Sequence, residues 1–426
     1  MATAISPHNF VPAKPFHGRL RFASRARSIH NCRRGRRPPS IRSTLITEPD
    51  AFEVGRFIGS YGFMNITSYL SFQGGISSLN LYDEFSPGYT TDDIERLRVQ
   101  DVGEGQVKIR LYEGRIVQGP RKGTRVIFKV YPGRKGGGVE ADMMAANELS
   151  THVYLQSDKE NICPNLQFLL GAFETKTGEQ FHLQWLAFRN DGKYSAADYG
   201  KLMSEGNTKD NAKGENVWNP FNKEQKIKRR RLFIIKLLNG AMNGLAYMHD
   251  HDRLHQSLGS SSIVLSTLEE KDAAYLIPTL RDLSFSVDIG YSSLEAAPSA
   301  LSEELWRRAS AAGAFTPLEK RAYGIADDIY EAGFLFAYLA FIPFCEAGIM
   351  DTISLQRLFE NTFQLDLHAA REYCLADDRL SEAVKFLDIG DGSGWELLQA
   401  MLNPDYRRRP IAAAVLNHRF MTGAVL

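Results

Sequence analysis

Phosphate chemistry needs a backbone that can approach an anion closely, or a cation held where the anion will sit, and this 426-residue chain has candidates for both. Gly103-Glu104-Gly105 sets two glycines one residue apart before a β-like run, but the third glycine of a G-x-G-x-x-G loop would fall on Lys108. Gly390-Asp391-Gly392-Ser393-Gly394 is richer in glycine, yet no Gly-Lys-Ser/Thr follows it and no strand clearly precedes it, so it reads as a loop before a helix. Gly136-Gly137-Gly138 reads as a flexible linker. Lys129 ends the β-like run Val126-Ile127-Phe128, and Glu148 follows nineteen residues later in a helix-forming stretch. Such a pair is common on protein surfaces and gains meaning only from its surroundings. His152, His182, His249, His251 and His255 form no metal-ligand grouping with carboxylates or thiols, and His255 reads as a packed structural residue. Cys32, Cys163, Cys345 and Cys374 lie far apart with no C-x-x-C, which sets aside a structural zinc site and a disulfide framework.

The elements that must position these residues fall into two groups. From Val102 the chain reads as short strands over Val107–Leu111, Gly114–Gln118 and Thr124–Tyr131, a helix over Val139–Gln156, then strands over Leu166–Glu174 and Phe181–Phe188. Beyond a polar stretch at 201–228, read as a long surface insertion, helical periods dominate. Phe233, Ile234, Leu237, Leu238, Ala241, Leu245 and Met248 recur at steps of one, three and four, the mark of a long helix with one buried face. Further helices are expected over Asp327–Phe341, Leu355–Thr362, Glu372–Phe386, Gly394–Met401 and Ala412–Phe420. The fold class is α+β: a small antiparallel β lobe with one helix, followed by a larger helical lobe. Residues 48–98, glycine-bearing and without sustained period, read as an extension packed outside that body.

In order along the chain, Lys129, Glu148, Leu254-His255-Gln256-Ser257-Leu258-Gly259-Ser260-Ser261-Ser262-Ile263-Val264-Leu265, Asp282-Leu283-Ser284, Asp328-Ile329-Tyr330 and Asn403-Pro404-Asp405-Tyr406-Arg407-Arg408-Arg409-Pro410 resemble the successive landmarks of protein kinases. The resemblance runs from about Val102 to Met421. It implies a two-lobed kinase fold, with an N-lobe at 99–187 and a C-lobe at 188–424. Phe188-Arg189-Asn190-Asp191-Gly192, Arg229-Arg230-Arg231 and Leu387-Asp388-Ile389-Gly390-Asp391-Gly392-Ser393-Gly394-Trp395 are most similar to the chloroplast thylakoid state-transition kinases. In that family Lys129 would contact nucleotide phosphates, Glu148 would hold it, Gly103 and Gly105 would belong to the nucleotide loop, and Asp282 would take a magnesium ion. The Arg of the closing segment would tie to a buried Glu near the activation segment.

The departures bear on activity. The resemblance puts Ser257 where a kinase has its catalytic Asp, Gly259 where it has a Lys, and Ser262 where it has a metal-binding Asn. A serine holds no negative charge at physiological pH, and phosphoryl transfer depends on positioning and charge neutralisation. The expectation is therefore a pseudokinase, acting as scaffold or allosteric partner, with residual ATP and Mg2+ binding left open as weak or absent. The alternative is a low-activity Ser/Thr kinase with a rearranged site.

Charge distribution adds a compartment. The formal net charge is +1, yet residues 1–47 hold ten Lys or Arg and no acid, and the remainder sums to −9. That segment resembles a chloroplast transit peptide, with a mitochondrial one as the runner-up, because it lacks the apolar run of a secretory signal. An acidic body argues against general nucleic-acid binding, so the expected partners are proteins of the plastid stroma, with peripheral thylakoid or envelope association left open. Ala332–Cys345 is apolar but short and broken by Pro343, and reads as a buried helix.

Overall fold

A computed structural model describes residues 45–65, 98–100, 107–157, 162–177, 181–213, 220–296, 298–299 and 301–423. The first lobe is built on a six-stranded antiparallel sheet in the order β2-β1-β3-β4-β6-β5, with β1 at Phe52–Asn65, β2 at Arg98–Gln100, β3 at Val107–Ile116, β4 at Arg125–Tyr131, β5 at Leu169–Thr177 and β6 at Phe181–Arg189. Alternation along β4 sorts its two faces. Tyr131 packs on the side of helix α1 (Arg134–Leu155), while Val126, Phe128 and Val130 join Phe52, Ile116 and Phe173 on the other.

Three expectations for this lobe are corrected. Residues 52–65 do not lie outside it: β1 is an inner strand, pairing with β3 from Phe52↔Ile116 to Phe63↔Val107. Its glycines obscured the period, and they serve close approach at Gly55, where an added Cβ would meet the Glu113 carbonyl at 3.0 Å. The folded body also begins before residue 48. Ile46 bridges to Gly171, its amide donating to the Leu170 carbonyl at 3.1 Å and its carbonyl accepting from Ala172 at 3.0 Å, so residues 45–51 strap the edge of β5. Finally, Gly136, Gly137 and Gly138 lie within α1.

The second lobe gathers around α6 (Pro317–Phe341), whose buried residues run from Gly324 to Phe341. Around it, in chain order, stand β7 (Tyr194–Ser195), α2 (Ala196–Lys213), α3 (Pro220–Asp250), β8 (Arg253–Leu254), β9 (Ile263–Leu265), β10 (Thr279–Leu280), β11 (Val287–Asp288), α4 (Tyr291–Glu295), α5 (Glu303–Ala311), α7 (Thr352–Arg357), α8 (Leu367–Leu375), α9 (Ser381–Leu387), α10 (Ile389–Met401) and α11 (Ala412–Leu416). The stretch expected as a polar insertion is largely helical. Ser204 and Arg230 are buried, and Asn207 donates to the carbonyls of Pro343 and Cys345 at 3.0 Å each, so its polar residues cap the end of α6 and the turn after it. The helix expected over Glu372–Phe386 is two, α8 and α9, separated by a turn at Asp377 whose carboxylate accepts from the Arg379 amide. The Gly390–Gly392 run kinks the start of α10 through three consecutive left-handed residues, φ 62°, 56° and 80°, the conformation glycine permits most cheaply. No helix among the described residues is long and apolar enough to cross a membrane.

The two-lobed α+β division matches the fold class expected from the sequence.

Candidate nucleotide cleft

Six side chains converge where the lobes meet. Lys129 projects from β4, and Glu148 from α1 on the same helical face as Ala141, Met144 and Ala145. Lys129 Nζ lies 2.7 Å from Glu148 Oε2 and 2.7 Å from Asp282 Oδ1. Asp282 follows β10 in a left-handed conformation, φ 68°, which an Asp tolerates better than most residues. Tyr61 of β1 donates its phenol hydrogen to Asp282 Oδ1 at 2.6 Å, and Tyr131 donates to Glu148 Oε2. Arg281 closes the group: its Nε lies 3.2 Å from Asp282 Oδ2, an ion pair without hydrogen-bond alignment.

The cluster balances two cations against two carboxylates, almost wholly out of water: Lys129 is 3%, Glu148 0% and Asp282 1% exposed. Burial raises Glu148 above the usual carboxylate range even though Lys129 pulls against it. At Asp282 burial acts in the same upward sense, but Lys129 and Arg281 together overcome it and hold that carboxyl below its ordinary value. Burial, then the Asp282 charge, keeps the Tyr61 phenol protonated far above its usual range, and burial followed by Glu148 does the same for Tyr131.

The loop carrying Ser257 is rigidly supported from beneath. Buried Asp328 of α6 accepts from the amides of His255 at 2.8 Å and Gln256 at 2.9 Å, and from Gln256 Nε2 at 3.0 Å. His255 Nε2 hydrogen-bonds the Arg281 carbonyl at 3.0 Å and its Nδ1 accepts from the Ser257 amide at 3.3 Å, the pattern of a neutral ring. Burial holds its pKa below the ordinary value, in agreement. At the three departed positions every group is turned inward. Ser257 Oγ donates to the Asp282 carbonyl at 3.0 Å. Ser262 Oγ accepts from the Gly259 amide at 2.9 Å and donates back to its carbonyl at 2.7 Å, and Gly259 has no side chain to offer.

These contacts decide whether magnesium fits. Its ligand set would reduce to Asp282, whose charge two cations already meet, because Ser262 is committed to its own loop. The residues present do not fit the ion, and no group of three His, Cys, Asp or Glu able to hold a metal occurs among the described residues. Gly103 and Gly105 lie outside the described residues. Of the closing-segment arginines, Arg407 donates to the Gly313 carbonyl. Arg409 donates to the carbonyls of Asn403 and Ala326, and Glu319 completes the N-terminal cap of α6 with Thr316. A bidentate pair joins Arg308 of α5 to Asp327 of α6, at 2.7 and 2.9 Å. Sequence reasoning missed Tyr61, Tyr131 and Arg281. For Arg281 the available signal was a cation directly before Asp282; for Tyr61 it was the alternation of Phe57, Gly59, Tyr61 and Phe63.

No family model matches the chain, and no curated protein does. Among solved structures, the crystal structure of a Stt7 homolog from Micromonas algae soaked with ATP aligns with 93% of this chain and 98% of its own, at 15% identity and a TM-score of 0.47.

Proposed function

We propose that this chain is a catalytically inert kinase-like protein that works by binding other proteins in a plastid. The observation carrying this reading is the inward commitment of Ser257 and Ser262: one hydroxyl is spent on the Asp282 carbonyl, the other on Gly259. Phosphoryl transfer asks for a residue to accept or orient the nucleophile's proton and for metal ions to neutralise developing charge. Neither is supplied by these positions. The loop nevertheless keeps its buried support from Asp328 and His255. A scaffold preserved without its reactive groups suits a surface that partners recognise.

A low-activity kinase is the second reading, favoured by Lys129, Glu148 and Asp282 still standing within 2.7 Å of one another in turn. Incubating the full chain with ATP, Mg2+ and a generic protein acceptor separates the two. Inertness predicts no transfer above that of an Asp282→Ala variant, whereas transfer abolished by Lys129→Ala and by Asp282→Ala establishes the kinase. The plastid part is supported by the acid-free, Arg-rich composition of residues 1–47. A fluorescent protein carrying those residues should enter plastids in plant cells, and cytosolic or mitochondrial fluorescence would refute it.

A further inference from the structure

We propose that Tyr61 acts as a built-in occupant of the cleft, holding the position a nucleotide phosphate would take and keeping MgATP out. This rests on the kinase-like reading of the site and names what regulates it.

The phenol oxygen and Lys129 Nζ share one acceptor, Asp282 Oδ1, at 2.6 and 2.7 Å. The Tyr61 ring lies between two cations, with Lys129 Nζ 5.7 Å and the Arg281 guanidinium carbon 5.4 Å from its centroid. Tyr61 is only 8% exposed. A phosphate seeking Lys129 meets a cation already neutralised by two carboxylates. A metal seeking Asp282 Oδ1 must displace both a phenol hydrogen and an ammonium. Each exchange gives up buried, charge-assisted hydrogen bonds.

The backbone holds the ring there. Tyr61 pairs with Ile109, and the β1–β3 ladder runs on through Gly62↔Lys108 and Phe63↔Val107; its register shifts fall earlier, between Val54 and Gly59. The register therefore keeps Tyr61 on the cleft face of the sheet, and moving β1 against β3 would carry the ring away. A partner that displaced β1 would open the site.

The test is an ATP titration, with and without Mg2+, of the wild-type full chain and of Tyr61→Val, which keeps a β-forming residue but removes ring and hydroxyl. The wild type should show no thermal shift at millimolar ATP, while the valine variant should bind at least roughly tenfold more tightly and shift upward. A wild type that binds at micromolar ATP overturns the proposal, as does a folded valine variant that binds no better. Should the Tyr61→Val substitution prevent folding, hydrogen exchange of the wild type decides: unchanged protection across 59–63 and 280–283 at millimolar MgATP supports the occupant, and slowed exchange there contradicts it. Failure here leaves inertness standing, since only Asp282-dependent phosphate transfer would remove that.

Discussion

Ser257 Oγ and the main-chain carbonyl of Asp282 are joined by a 3.0 Å hydrogen bond, which ties the expected base position to the expected metal position through their least reactive groups. Replacing the serine with aspartate does not rebuild a kinase on this account. Ser257→Asp should give no phosphoryl transfer, because Gly259, Ser262 and the neutralised Asp282 remain. It should also lower stability by about 1–3 kcal/mol, the cost of setting a carboxylate against a carbonyl oxygen and losing the bond. Urea denaturation and a transfer assay on one preparation check both.

Lys129 is structural here in a way that a purely catalytic lysine is not. It lies 2.7 Å from each of two buried carboxylates, so Lys129→Met should cost about 3–5 kcal/mol by leaving uncompensated buried charge. Adding Glu148→Gln should recover part of that loss. A denaturation cycle over the four proteins measures the coupling, and a single variant as stable as wild type would show that the charges are not tied as described.

The strap and first strand should behave as core. Phe52 packs its ring 5.6 Å from Phe128 and 5.3 Å from Phe173, and it is buried. Phe52→Ala should destabilise by about 3–5 kcal/mol. A residue on an outer extension would change stability by less than about 0.5 kcal/mol.

The glycine run at the start of α10 is a backbone device. Gly392 has φ 80° and no atom within 4 Å of an added Cβ, so Gly392→Ala carries backbone strain alone, about 1 kcal/mol. Chemical denaturation should show that loss with no change in any response to ATP.

Acid should weaken the first lobe through His152. Burial lowers its pKa from 6.5 to about 3, so the folded state resists protonation while the unfolded chain accepts it. That contribution is intact above about pH 6.5 and is lost progressively as pH falls toward 3. Between pH 7.5 and 5 it amounts to about 2 kcal/mol. His152→Leu should flatten the pH dependence of stability by that amount, as urea midpoints at the two pH values will show.

Much of this was legible in the sequence where one force acts alone. Periodicity located β4, β6 and the buried faces of α3 and α6, because burial of apolar side chains dominates there. Lys129, Glu148 and Asp282 were found by type and order, and they do meet. What sequence hid was set by tertiary pairing. β1 carries glycines that break a strand pattern, and only its partner β3 makes it a strand. The polar helix at 196–213 sends Asn207 to the carbonyls of Pro343 and Cys345 beyond α6, where Arg230 of α3 donates to the same Pro343 carbonyl. Tyr61 reaches Asp282 across 221 residues, a contact no local pattern encodes.

An inert cleft leaves a direct signature in the mass of the intact protein after prolonged incubation with ATP and Mg2+, beside an Asp282→Ala control. Neither protein should gain phosphate. Phosphate incorporated by the wild type and absent from the Asp282→Ala protein would contradict inertness.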